Sequence, residues 1–486
     1  MTLAFPRRPA SRRLAGGLID RETSLNVGPV EAAMKISIPK PAPSVEFGGF
    51  RARRRAFLFG AASSALYGAL LKSGSAAPSM KSGAHAEEAT KDPFEGDFPP
   101  AVYGRTLEET EVTIQDVVEK VFRDSDGMLL SGVNGATMKP LRAEDVKDRP
   151  QGVGTFAENS AIPHALRAVW TNYENAGQSS GTYLEALCAK ARHSSDGPAR
   201  ELARRTVDAI VTLWNNAAAT QDALGGGGRG WFPKPYDGIQ RIAQMHECSA
   251  DQYCDVTLGL HTYYLTLADA EEKRKIEEVI VSFADWWHDH DYCGIYFGQA
   301  IWWKRLKTHS MAVSYFLYLN ALAQSWRPSP KFERGFEIWW NLRSALRPPD
   351  KAGWVCMHGI TLNCLERLMV LRPDLKDEWG RAAAHQALLL AASVGAASKP
   401  WNEYNTESYG ADYLNTAHRL LPKEGYDHLS RGCLGACMRR ENFYHVRRGQ
   451  RLAELNTKLT GDDYRNIFMS EQHVHWLKGY WQSRPG

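Results

Sequence analysis

Beyond residue 110, apolar and polar residues alternate with helical spacing along most of the chain. In PARELARRTVDAIVTLWNNAAAT (198–219), Leu202, Val207, Ile210, Val211 and Trp214 fall close to the i, i+3, i+4, i+7 positions that line one helix face. Pro198 suits its first turn, where a missing N–H costs nothing. The same stripe recurs over 249–268, 270–288, 308–324, 331–346, 356–371, 375–393, 407–420 and 463–480. Weaker stripes lie near 111–124, 160–175, 179–193 and 426–440, which brings the count to about twelve helices. No alternating stretch long enough for a strand competes with them. Helices of this length in up-down order form a bundle or a ring of hairpins, and the lack of a fixed repeat argues against a solenoid. Three connections, 220–248, 289–307 and 394–407, are long and aromatic, as loops that build a binding site on a rigid scaffold are.

Composition fits a large buried core: 43% of the 486 residues are hydrophobic. The formal charge of +4 conceals an asymmetry, because residues 1–86 carry 13 Lys+Arg against 4 Asp+Glu and the rest is net acidic. An acidic body excludes nucleic acid as the expected partner. The basic excess lies around RARRRAFLFGAASSALYGALL (51–71), an arginine cluster followed by a short apolar run. Arg54-Arg55-Ala-Phe57-Leu58 resembles a bacterial twin-arginine export signal. Ala84-His85-Ala86 has the small-x-small form of a cleavage site, and Ser75-Ala76-Ala77 is an earlier alternative. The apolar run is shorter than the ~20 residues that span a bilayer. The expectation is therefore export to the periplasm or beyond, with no stable membrane insertion after cleavage. Met34 is an alternative start. The domain plan is an extension and signal over 1–86, a linker over 87–110 and one helical domain over 111–486. Eight scattered cysteines without a CxxC pair suit neither a disulfide scaffold nor a zinc site, and Cys248 and Cys254 read as packing residues.

The densest chemistry lies in HECSADQYCD (246–255), where Glu247, Asp251 and Asp255 recur every four residues. Ser249-Ala-Asp-Gln252 fits a capping box, which starts a helix there and leaves Glu247 on the incoming loop. Asp251 then takes the second helical position and Asp255 lies a turn deeper on the same face. First-turn acids are favoured by the helix dipole alone, by about 0.3–1 kcal/mol each. The dipole does not account for the aromatic run just upstream, with Trp231, Tyr236 and Asp237. Glycoside cleavage needs one acid to protonate the leaving oxygen and one carboxylate to activate water or attack, and clustered carboxylates raise one another's pKa.

About twelve helices with Trp-rich loops, GWFPKPYDGI (230–239) leading into ECSADQY (247–253), and GIYFGQAIWW (294–303) together resemble the six-hairpin, (α/α)6-toroid glycosidases. Within that superfamily the nearest likeness is to unsaturated-glucuronyl-hydrolase-like and related uronate-acting enzymes. The resemblance spans residues 110–486 and implies an all-α (α/α)6 toroid with its site at the N-termini of the inner helices. It implies an oligo- or polysaccharide substrate, acidic in part, and implicates Asp251 first and Glu247 second.

Other candidates complete that site. All fifteen tryptophans lie after residue 169, and adjacent ones on a helix diverge by about 100°. One of each pair (286/287, 302/303, 339/340) is expected in the core, and Trp231 and Trp303 are the candidates for stacking on a sugar face. Arg305 and His309 could hold a substrate carboxylate. His358 and Tyr409 sit in loops that could line the same mouth, where Glu403 or Glu407 could be the distant second carboxylate. The H-x-H pairs at 288/290 and 473/475 offer two ligands each, short of a catalytic zinc site. No metal or cofactor is expected. Gly177-Gln-Ser-Ser-Gly181 mimics a nucleophile elbow without its strand and reads as a turn. A lyase using His309 with Tyr404 or Tyr409, or a glycan-binding protein without catalysis, remain alternatives.

Overall fold

A computed structural model describes residues 106–134, 137–146, 167–194, 197–220, 227–240, 247–296, 299–306, 308–348, 355–397, 406–436 and 467–484. Of two compact units, Met1–Phe59 lies outside these residues, as does the whole export segment, and all that follows concerns Gly60–Gly486. None of the described helices is long and apolar enough to cross a membrane.

Among the described residues, twelve helices of 11 residues or more build the domain: α1 Leu107–Val117, α2 Ala176–Ser194, α3 Gly197–Ala217, α4 Ala250–Thr266, α5 Ala270–Asp289, α6 Ser310–Trp326, α7 Pro330–Trp340, α8 Val355–Leu371, α9 Lys376–Ala397, α10 Thr406–Leu420, α11 Tyr426–Ala436 and α12 Ser470–Gln482. The even-numbered helices pack in sequence, α2 on α4, α4 on α6 and so on, and α12 packs back on α2. That is a closed inner ring of six. The odd-numbered helices lie outside it, each against its chain neighbours. The expected all-α toroid is what forms.

Residue patterning explains the two layers. α2, α4 and α6 are buried on nearly every side, which only a helix surrounded by others can satisfy. α3, α5 and α7 bury one stripe and leave the opposite face to water. The outer helices start on strong caps. Asp269 and Glu272 form a capping box on α5, and Ser329 caps α7 with Pro330 behind it.

Connection lengths then give the ring two unlike ends. Inner helices pass to outer ones through short turns, 267–269, 327–329, 372–375 and 421–425. Outer helices return through long segments, 218–249, 290–309, 341–354, 398–405 and 437–469. Paired helices joined so tightly run antiparallel, so all six inner N-termini share the end that carries the long loops. Two small sheets brace that end. β1 (Gly132–Asn134) pairs antiparallel with β4 (Ile467–Met469), and β2 (Cys293–Tyr296) with β3 (Gln299–Trp302). They are three or four residues long, too short for an alternating pattern to announce them.

The 177–181 segment is helix rather than turn. It forms the first turns of α2, and Gly181 lies on the crossing with α4. A Cβ at Gly181 would stand 2.3 Å from the Asp255 carbonyl oxygen, and one at Gly259 would stand 2.4 Å from that of Gly181. Neither backbone can retreat inside a closed ring. Gly259→Val should therefore cost at least the ~1–3 kcal/mol of an overpacked core. A thermal midpoint unchanged from the wild type would show that the helices do not cross so closely.

Candidate functional site

Six inner-helix N-termini at one end place first-turn N–H groups and positive dipole ends there. The side chains at these starts are Asp251 on α4, His309 on α6, Cys356 on α8 and Glu471 on α12. Electrostatic influence runs among them across the ring. Burial first, then Asp251, Glu471 and Asp255, raises the Cys356 thiol to about 12. Asp251 also acts on His309, opposing the burial that lowers that imidazole to about 4.

The start of α4 follows the sequence in position but not in mechanism. Ser249 is the N-cap residue, Asp251 is the second helical residue and Glu247 precedes the helix. Ser249 makes no capping bond, and its buried Oγ has no partner. Gln252, the other half of the expected box, instead donates from Nε2 to the Pro233 carbonyl at 3.1 Å. The loop from 231 claims it, and so the box does not close.

Below the mouth the lumen is charged. Lys478 of α12 donates to Glu185 Oε1 of α2 at 2.7 Å and lies 3.4 Å from Asp412 Oδ2 of α10. His475 Nδ1 stands 3.0 Å from the same Asp412 oxygen. Burial lowers the Lys478 pKa, but Glu185 and Asp412 outweigh it and the net shift is upward. Asp255 is 1% exposed, and its Oδ2 has no partner. Burial, with Glu185, Asp251 and Asp412 against Lys478, holds its carboxyl well above 3.8. Two columns therefore descend from the mouth: Asp251 and Asp255 on α4, and Glu471, His475 and Lys478 on α12.

The remaining candidates scatter. Glu247, 5% exposed, accepts a hydrogen bond from Tyr236 Oη at 2.8 Å, beside the buried Lys234–Glu174 pair at 2.9 Å. It belongs to that nest. Trp231 is fully buried with its ring 5.0 Å from Trp286, so no face is left for a sugar. Trp303 is nearly buried and meets His309 edge-on at 5.6 Å. Trp286 and Trp287 are both core, against the expected division, because the 231 loop covers the outer face of α5 as α4 and α6 cover the inner one. Asp237 is exposed on a turn at φ 64°. Arg305 is exposed, its guanidinium 4.7 Å from the Trp302 ring centre, on the loop that enters α6.

His309 caps α6, with Nδ1 accepting the Ala312 N–H at 3.3 Å. Its proton therefore sits on Nε2. Neutral near pH 7, it offers a hydrogen bond rather than the charge a carboxylate clamp needs, and it lacks the free lone pair of a lyase base. His358 is turned outward, its Nδ1 2.7 Å from Gln386 Oε1 of α9, and is not at the mouth. Glu407 and Tyr409 fall in the first turn of α10, but their side chains, like Glu403 and Tyr404 entirely, lie outside the described residues. Glu471 was missed because its only local signal is Ser470-Glu471 at the head of a helical stripe, which also suits an ordinary first turn.

No family model matches the chain, and no curated protein does. Among solved structures, a family 76 glycoside hydrolase from a bovine Bacteroides thetaiotaomicron strain aligns with a TM-score of 0.44 and 10% identity. The alignment covers 77% of this chain and 76% of that one. A likeness that distant carries no functional argument.

The raised Asp255 pKa has a sign that can be checked. Above about pH 3.8 the unfolded chain releases a proton that the folded state keeps. The stability from this group is complete below that pH and is lost as pH rises toward the folded pKa. His309, at about 4, and His261, at about 3, act oppositely: their contributions are complete above 6.5 and fade on acidification toward those values. Asp255→Asn should therefore raise the thermal midpoint relative to the wild type by an amount that grows from pH 4 to pH 8. A difference that stays flat or shrinks would contradict a protonated Asp255.

Proposed function

We propose that the protein hydrolyses a glycosidic bond of an oligo- or polysaccharide at the open end of the ring, with Asp251 and Glu471 as the working carboxyl pair. The observation that carries this reading is that both stand at the second position of inner helices whose N-termini share the long-loop end, and that both influence the Cys356 thiol at the start of α8. One carboxyl protonates the departing oxygen while the other activates water or attacks the anomeric carbon. The His309 Nε2–H supplies a neutral donor beside them. Glu247 retains its place in the Tyr236 nest and is a support for the entering loop.

An acidic sugar suits this mouth. Six convergent helix N-termini favour an anion, and Arg305 adds an exposed guanidinium at the rim, flattened on Trp302. A uronate neighbouring the cleaved bond is the substrate feature we assign to these groups. Export to the periplasm, resting on the Arg54-Arg55 segment, belongs to the same reading.

Assay of reducing-end release over neutral and uronate-containing oligosaccharides tests the pair. Asp251→Asn and Glu471→Gln should each lower kcat by ~100-fold or more, as loss of an acid-base group does, with an unchanged thermal midpoint. Arg305→Ala should raise KM on uronates and leave neutral substrates alone. Full turnover in both carboxyl variants would refute the assignment. A product absorbing in the unsaturated-uronate band would show a lyase instead.

A further inference from the structure

Two thiols meet below the mouth that take no part in the proposed chemistry. Cys254 of α4 and Cys364 of α8 bring their sulfurs to 3.5 Å. Both are fully buried. Their helices are not neighbours in the ring, since α6 stands between, yet they touch across its inner side. Tyr315 and Tyr318 of α6, both buried, lie close enough that each hydroxyl feels both thiols.

A single buried thiol packs as a small apolar side chain. Two in contact, carried by non-adjacent helices 110 residues apart in sequence, form a cross-link site. Bonded sulfurs lie about 2.05 Å apart, so closure from 3.5 Å asks for a movement of about 1.5 Å. We infer that Cys254 and Cys364 form a disulfide that bolts α4 to α8 beneath the mouth, made where the chain meets an oxidant before both thiols are buried; a chain that crosses the membrane already folded, as twin-arginine export implies, meets that oxidant in the cytoplasm.

The oxidant is a disulfide, of a small molecule or a thiol oxidoreductase. One cysteine thiolate attacks it, forming a mixed disulfide and expelling one thiolate. The second cysteine thiolate then attacks the protein-side sulfur and expels the other. Two protein thiols are oxidised, one external disulfide is reduced, and the two protons pass to the leaving thiolates. Timing follows from burial. In the finished fold, desolvation first and the Cys364 thiol second push the Cys254 thiol far above 9, which leaves little thiolate. The bond would constrain the unfolded chain over a long loop and hold in place the helix that carries Asp251. It stands whether or not the protein is a glycosidase.

The test refolds the full chain from denaturant in mixed oxidised and reduced glutathione, alkylates free thiols and maps the peptides. The expected result is one linked pair, Cys254 with Cys364. The oxidised protein should melt higher than the same protein after reduction, and that difference should vanish in Cys254→Ser and in Cys364→Ser. Should refolding fail, the same map of protein made directly in an oxidising bacterial periplasm gives the answer. Separate alkylation of Cys254 and Cys364, or linkage of either to another cysteine, overturns the inference.

Discussion

Closure of the ring depends on one buried cation. α12 is the last helix and fills the gap between α10 and α2, and Lys478 on it reaches Glu185 of α2 and Asp412 of α10 together. A buried ion pair is weak evidence of net stability, since desolvation cancels much of the attraction. Removing one partner is different, costing ~3–5 kcal/mol because the remaining charges stay buried and unbalanced. The seam is thus matched by charge: the helix that sits between these two acids carries a cation at their depth.

That seam also fixes what lies above it. Glu471 and Lys478 share α12, so the register that seats the lysine sets the height of the carboxylate at the mouth. Asp255 and Asp251 share α4 in the same way, one buried with its carboxyl pKa raised and the other partly exposed. Two carboxyl groups one turn apart therefore live in unlike surroundings. The long loops arise from topology. The tight inner-to-outer turns leave the long connections at the end where the helix dipoles converge.

Much of the fold was legible in the sequence, because helices of this length advertise themselves by period. Leu202 to Trp214 marked α3, and the strongly apolar stripe over 308–324 marked α6. The site was less legible for a physical reason. HECSADQYCD revealed the helix start and the depths of Asp251 and Asp255, but its facing groups come from α12 and α10, more than 150 residues onward. Nothing local distinguishes Glu471 from an ordinary first-turn acid, or Lys478 from a solvated one. Burial misled elsewhere: Trp231 lies in a loop yet is covered completely, since the 230–240 segment packs inward on Trp286. His358 was misplaced because a loop-edge histidine can turn outward as easily as inward, and Gln386 decided the matter.

The site we propose for sugar lies at the inner-helix N-termini, at Asp251 of α4 and Glu471 of α12. Its most direct test is a crystal structure of Asp251→Asn soaked with a uronate-containing oligosaccharide. Sugar density is expected against Asn at position 251 and Glu471, with the acid group toward Arg305. Density confined to the short-turn end of the ring, or lying outside it, would contradict that site.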